Sequence, residues 1–143
     1  MYKASTTVEL DVPPQLLLDA VWQVEHYPEF VHGVKRVELL AREGDRARAR
    51  FVATIAGLEF QYELEVRRTP SEVTWRRMAG SFRDAAGAMR HLGGQRFQYE
   101  NALDPGFAVP ELAVRFVLER SLPRLIREFH QRALVLKARG VAR

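Results

Sequence analysis

The sequence contains no cysteine, and it has no long run of apolar residues. Without cysteine, the chain can form no disulfide, offers no thiol nucleophile and supplies no thiolate to a metal. No apolar stretch approaches the roughly 20 residues that a membrane-spanning helix needs. The first residues, Met1–Thr6, lack the apolar core of a secretion signal. We therefore expect a cytoplasmic protein without a membrane span.

The chain also lacks any block of five or six like charges, although its net charge is +4. Arginines are spread along the sequence and often lie near glutamates, whereas a phosphate-binding surface needs a concentrated basic face. Nucleic-acid binding is therefore disfavoured. With 47% hydrophobic and 28% charged residues in 143, the composition is that of a folded chain. The length predicts a single domain over residues 1–143.

Motifs of catalysis and metal binding are missing as well. The four histidines show no spacing of a metal-binding pair on one element. There is no Gly-x-Ser-x-Gly nucleophile elbow and no phosphate-cradling glycine loop. The sequence therefore predicts neither a metal nor a cofactor, and it does not predict an enzyme.

Hydrophobic periodicity predicts a strand followed by a broken helix at the N-terminus. Residues 3–12 alternate between apolar and polar side chains, which is typical of a half-buried strand. Apolar residues then recur at helical spacing from Leu16 to Val24. Tyr27-Pro28 interrupts this helix, because the residue before proline is displaced from the helical region. One more helical turn is expected before Gly33.

The clearest element is a hairpin about Ala56-Gly57. Apolar residues alternate with charged ones on both sides of these two residues, so a two-residue turn fixes the register. Arg50 then faces Glu63 on one side of the sheet, and Phe51 faces Tyr62 on the other. A slip of one residue would place apolar side chains opposite charged ones throughout.

Four further segments have strand character: 34–41, 73–78, 82–92 and 95–103. Pairing the last two about Gly93-Gly94 sets Arg90 against Phe97 and Ala88 against Tyr99. Small residues opposite large aromatic ones indicate an inner face with space above it.

A helix is predicted from Pro110 to Ala138. One apolar stripe follows its whole length, and the first half carries a second stripe that includes Leu112 and Phe116. A helix that is apolar on two sides is expected to be covered on two sides. In the second half, polar residues are expected to face water, namely Arg124, Arg127, Glu128 and Gln131.

This order of elements resembles the START-like (SRPBCC) superfamily, and within it the polyketide cyclase/dehydrase, lipid-transport or coenzyme Q-binding type. The resemblance is carried by residues 21–31, 34–37, 80–82, 87–90 and 122–126. It implies an α+β helix-grip fold, in which a seven-stranded curved antiparallel sheet wraps around a long C-terminal helix over an apolar tunnel. Met89 stands where many relatives carry a tryptophan, so we expect a pocket of different shape.

The resemblance and strand parity together suggest where a ligand would bind. Tyr27, Phe30 and Val31 form either a lid over the cavity or a hydrophobic plug that ends the core. The expected lining, each member of which is alternatively packed core, consists of Phe51, Phe60, Tyr62, Trp75, Met89, Phe97, Tyr99, Phe116 and Val117.

Three arginines are further candidates, because parity places Arg77 and Arg90 on the aromatic face and Arg120 on the second helix stripe. A buried arginine needs a partner. That partner is either a ligand carboxylate or ketone, or a carboxylate of the chain such as Asp84 or Glu100.

Three functions remain open. The first, which we favour, is binding or carriage of a small hydrophobic molecule such as a lipid, an isoprenoid quinone or a polyketide. The second is a polyketide cyclase or aromatase, in which an inward arginine and a tyrosine orient the substrate. The third is an interaction module that uses the basic surface. The sequence does not indicate the oligomeric state.

Overall fold

The computed structural model describes residues 1–106 and 109–140; the remaining residues of the predicted 1–143 domain lie outside this description. Within the described ranges the chain forms one sheet, two short helices, a 3₁₀ turn and one long helix. In chain order the elements are β1 (Tyr2–Glu9), α1 (Pro14–Trp22), the 3₁₀ turn Val24–His26, α2 (Tyr27–Phe30), β2 (Val34–Glu43), β3 (Arg46–Ile55), β4 (Leu58–Arg68), β5 (Glu72–Gly80), β6 (Asp84–Gly93), β7 (Arg96–Asp104) and α3 (Glu111–Ala138).

The seven strands form one curved antiparallel sheet in the order β1-β7-β6-β5-β4-β3-β2. Helix α3 packs on α1 and on β1, with its buried side chains turned towards the inner face of the sheet. This is the α+β helix-grip architecture that the sequence predicts, and the prediction is confirmed. None of the helices among the described residues is both long and apolar enough to cross a membrane.

The β3–β4 hairpin has the predicted register. Phe51 lies opposite Tyr62 and Arg50 opposite Glu63. Ala56 and Gly57 both have positive φ (51° and 80°), as a two-residue hairpin turn of the type I′ class requires. On the outer face, Glu63 accepts from Arg48 and Arg50, so ion pairs run diagonally as well as directly across the ladder.

The predicted register of β6 and β7 is wrong by one residue. The ladder is interrupted between His91 and Gly93, so that Leu92 is an extra residue on its strand. Such a bulge reverses the side-chain parity of everything beyond it. Phe97 therefore faces His91, and Arg90 faces Gln98 on the opposite side of the sheet.

The prediction that other parts of the chain cover both apolar stripes of α3 is also wrong. One face is buried along the whole helix, with Leu118, Ile126 and Phe129 in the core. In the first half, however, Leu112 and Phe116 are 73% and 60% exposed. The sheet covers the helix from one side only, and no other element among the described residues covers the second stripe there.

Trp75 and Tyr99 form part of the aromatic inner face, together with the stacked pair Phe51 and Tyr62. Burial raises the pKa of Tyr99 and raises that of Tyr62 to about 12. Tyr27, on α2, donates its hydroxyl to the Val21 carbonyl at 2.6 Å, and burial raises its pKa well above the usual value. These three phenols hold their protons at neutral pH.

Gly87 allows the Trp75 indole to lie against β6. The two residues are cross-strand neighbours, and a Cβ at Gly87 would come within 2.5 Å of the indole and 2.6 Å of the Glu100 carbonyl oxygen. Gly87→Ala should therefore lower the free energy of unfolding by about 1–3 kcal/mol, the usual cost of overpacking a core. Urea titration measures it. Ala86→Ser, on the other face of the same strand, should be nearly neutral; equal stability of the two variants would contradict this packing.

The buried phenols predict a loss of stability at high pH. A folded-state pKa above the unfolded value of about 10 means that the folded chain binds more protons. The contribution of these phenols to stability is therefore fully present below about pH 10 and is lost as the pH rises towards 12. Melting temperatures measured from pH 8 to 12 should show this decline, and Tyr62→Phe should make it shallower. A variant as sensitive to alkali as the unmodified chain would contradict the assignment to Tyr62.

Candidate functional site

A cavity of about 450 Å³ lies between the inner face of the sheet and α3. A smaller chamber of about 130 Å³ adjoins it. The two chambers are neighbours that share seven wall residues, namely Val31, Val34, Tyr62, Leu64, Trp75, Asn101 and Leu125. Most of the wall is apolar, as in pockets that bind small organic molecules.

The sheet supplies one wall of the larger chamber. Strand parity directs the side chains of Tyr62, Leu64 and Trp75 inwards, because alternate residues of a strand share a face. Ala85 on β6 belongs to the same face and faces Leu103 on β7. A small residue at this position leaves volume that a larger side chain would occupy.

The first half of α3 supplies the opposite wall. Val117 and Leu125 face the larger chamber, and the mostly exposed Phe116 lies at its edge. Arg120, Ser121 and Arg124 also line this chamber, where they form its polar part. Arg124 was expected to face water; instead it is half-buried at the cavity wall.

The segment Tyr27–Val31 closes the inner end. The Tyr27 ring lies 6.0 Å from Phe51 and 5.5 Å from Phe129, while Phe30 lies 5.9 Å from Phe129. With its hydroxyl bonded to the Val21 carbonyl, Tyr27 is held at both ends. These contacts favour a fixed plug rather than a moving lid. Tyr27 and Val31 nevertheless line the smaller chamber.

The structure brings eight of the predicted site residues to the cavity wall. Tyr62, Trp75, Phe116, Val117 and Arg120 line the larger chamber, and Phe51, Tyr62, Trp75, Tyr27 and Tyr99 line the smaller one. Contact of these residues with a ligand stays a prediction.

Four apolar members of the predicted set lie elsewhere. Met89 and Phe97 are fully buried in the packed core. Phe60 stacks on Phe82 at 4.9 Å, and Phe30 packs on Tyr27 and Phe129. None of the four is part of the cavity wall.

The two strand arginines lie away from the cavity as well. Arg90 is on the outer face, where it forms ion pairs with Glu72 (3.1 Å) and Glu100 (2.7 Å). Arg77 donates to the carbonyls of Gly80 (2.7 Å) and Ser81 (3.3 Å). The carboxylate that the sequence proposed as one partner of Arg90, Glu100, is therefore its partner in the structure.

Several wall residues escaped the sequence analysis. Phe82 was placed in a strand, but it belongs to the turn between β5 and β6 and has a positive φ of 74°. Its ring contacts Tyr62 at 5.4 Å and faces the larger chamber. A strained backbone at a phenylalanine leaves no signal in sequence periodicity. Asn101 and Leu125 could have been predicted as wall residues, because strand parity places Asn101 on the inner face and the apolar stripe of the helix includes Leu125.

Among residues 1–106 and 109–140, no three histidine, aspartate or glutamate side chains gather closely enough to hold a metal ion. The walls offer apolar contact, hydrogen bonding from neutral phenols, an amide, two hydroxyls and an imidazole, and the positive charge of two arginines.

Solved structures share this fold. A START superfamily protein from Mycobacterium smegmatis is 21% identical with a TM-score of 0.81, over 95% of this chain and 99% of that one. The protein TTHA0849 from Thermus thermophilus is 18% identical with a TM-score of 0.82, over 94% and 98%. The Zhui aromatase/cyclase from a Streptomyces species is 16% identical with a TM-score of 0.79, over 94% of each chain. At these identities the likeness concerns the fold.

No protein of curated function matches the sequence. The family described as polyketide cyclase / dehydrase and lipid transport matches residues 10–130, which is most of the chain. Together with the helix-grip fold and its cavity, this match shows that the chain belongs to the polyketide cyclase / dehydrase and lipid transport family.

Proposed function

We propose that this protein binds and carries a small hydrophobic molecule in the cavity between the sheet and α3. The observation that carries the proposal is the unfilled space of about 450 Å³ behind apolar walls. Protein interiors are normally packed as densely as organic crystals, so a space of this size between the sheet and the helix is unusual. Its volume falls within the usual range for small-molecule pockets, about 300–1,000 Å³.

The chemistry of the walls defines the class of ligand. Trp75, Tyr62, Leu64 and Phe82 offer broad apolar surface for a chain or ring system. A lipid, an isoprenoid quinone or a polyketide would bury its carbon skeleton there, and each buried methylene contributes about 0.8 kcal/mol. The rest of the affinity depends on the few polar groups of the wall.

Cyclisation of a polyketide in the same cavity is the second candidate, favoured by the structural likeness to an aromatase/cyclase. That reaction was expected to use an inward strand arginine. Arg90 lies on the outer face between two glutamates, and Arg77 is bonded to loop carbonyls. The phenols facing the cavity stay protonated at neutral pH, so they can orient a carbonyl by donating a hydrogen bond but cannot act as bases. Carriage without chemistry is therefore the better supported function.

Use of the outer face for nucleic acid is disfavoured by its ion pairs. Arg46, Arg48 and Arg50 each contact Glu38, Glu63 or Glu65 within about 3.2 Å. A positive charge that is matched by a neighbouring carboxylate adds little to phosphate binding.

Native mass spectrometry of the purified protein tests the proposal directly. We expect an additional mass corresponding to a co-purified apolar molecule. We also expect a rise in melting temperature with at least one member of a panel of fatty acids, isoprenoid quinones and aromatic polyketides, because a ligand that binds only the folded state stabilises it. A bare mass combined with no thermal shift across the panel would contradict the proposal.

Filling the cavity should abolish binding without unfolding the protein. Ala85→Phe directs a ring into the larger chamber, whereas Ala86→Phe places the same ring on the other face of β6. For the first variant only, we expect the affinity to fall by a factor of ten or more and the thermal shift to disappear. Far-ultraviolet circular dichroism confirms that both variants are folded. Equal binding by the two would place the ligand outside this cavity.

A further inference from the structure

The walls of the two chambers contain two arginines, Arg120 and Arg124, and no acidic residue among those that the structure describes. These two lie one helical turn apart on α3, so their side chains emerge on the same face of the helix. They lie among apolar residues such as Val117 and Leu125. Arg124 is half-buried, whereas Arg120 is exposed at the edge of the larger chamber. Burying the Arg124 guanidinium is unfavourable unless an anion or another polar group joins it.

Neither arginine has an anionic partner within the part of the chain that the structure describes. The Arg124 Nε is shielded from solvent and has no hydrogen-bond partner. The Arg120 guanidinium lies 5.6 Å from the centre of the Phe116 ring, at the mouth of the cavity. Other arginines of the fold are paired closely, for example Arg68 with Asp19 at 2.6 Å. Arg124 differs from the exposed arginines that lack an ion pair in that its Nε is shielded from water.

One carboxylate lies nearby, at Glu128, one turn beyond Arg124. Its Oε2 accepts the His32 backbone N–H at 3.2 Å, and its Oε1 is buried without a hydrogen-bond partner. It is not part of the wall of either chamber. Glu128 therefore does not supply the anion that the cavity wall lacks.

We propose, on the basis of the proposed function, that the ligand is a carboxylate-bearing amphiphile of the fatty-acid class. Its carboxylate binds between Arg120 and Arg124, and its carbon chain extends past Leu125 and Trp75 towards the smaller chamber. Guanidinium groups bind carboxylates through short, charge-assisted hydrogen bonds, often two at once. The Ser121 hydroxyl, on the same wall, already donates to the Leu118 carbonyl at 3.1 Å. The two guanidinium groups therefore supply the donors that a carboxylate needs.

Fluorescence titration with cis-parinaric acid and with the corresponding alcohol tests this assignment at pH 7.4. The two probes share one carbon chain and differ in the head group. We expect the acid to bind at least about tenfold more tightly than the alcohol, as a hydrogen bond to a charged group implies. Arg124→Gln should weaken the acid about tenfold or more and leave the alcohol within about twofold, and Arg120→Gln should act in the same direction.

Arg127→Gln is the matched control, because Arg127 is exposed on the same helix and does not line the cavity. It should change neither affinity. Arg124→Lys keeps the charge and should restore part of the preference for the acid.

Each other outcome overturns the assignment in a recognisable way. Equal affinities of the unmodified protein for acid and alcohol, or an equal loss of both in Arg124→Gln, would refute the carboxylate site and leave the hydrophobic cavity intact. A lower melting temperature in Arg124→Gln with an unchanged preference for the acid would make Arg124 a structural partner of Glu128. Failure of both probes to bind would refute the fatty-acid class, and the broader ligand panel would then decide the proposed function by itself.

Discussion

The cavity depends on how α3 is held against the sheet, because the helix packs on only part of the inner face of the sheet. The buried stripe of α3, from Leu118 to Leu136, packs on α1, on β1 and on the plug around Tyr27. These contacts fix the helix at a distance from the central strands. Side chains of ordinary size, such as Leu64 and Ala85, do not span that distance, so a space persists where close packing would otherwise be expected. The cavity is a consequence of where the helix is anchored.

The arginines of the outer face differ from those of the cavity wall in whether a carboxylate lies beside them. On the outer face, arginines and glutamates form a network that includes Arg48, Arg50 and Glu63. Exposed pairs of this kind contribute little individually, but they fix the register of the ladder. On the inner side, the two arginines of the wall belong to α3 and lack such partners among the described residues. The arginines of the outer network are thus paired with carboxylates, whereas Arg120 and Arg124 have no ion pair among the described residues.

The fold could be predicted from the sequence because the strongest constraints are local and redundant. In the β3–β4 hairpin, both faces of the sheet and the Ala56-Gly57 turn demand the same register, so no other pairing satisfies all three. The β6–β7 pair offers no such redundancy. Strand β6 is rich in glycine and alanine, which fit either face of a sheet. The alternation pattern therefore does not fix its register or show that Leu92 is an extra residue. Because this bulge was not recognised, the prediction placed Arg90 on the inner face, whereas it lies on the outer face.

The candidate site was harder to predict because helical periodicity assumes that a buried side chain meets another side chain. On that assumption Arg124 belongs to the solvent side of α3 and Phe116 to the covered side; the structure has Arg124 half-buried at the cavity wall and Phe116 mostly exposed. A helix that borders an unfilled space has a third kind of surface, which lines that space and packs against no other side chain. Polar and apolar residues are both compatible with that surface, because no other side chain of the chain packs against it. The pattern of a single chain therefore locates the core, whereas residues that line a cavity are identified only when the volume they surround is known.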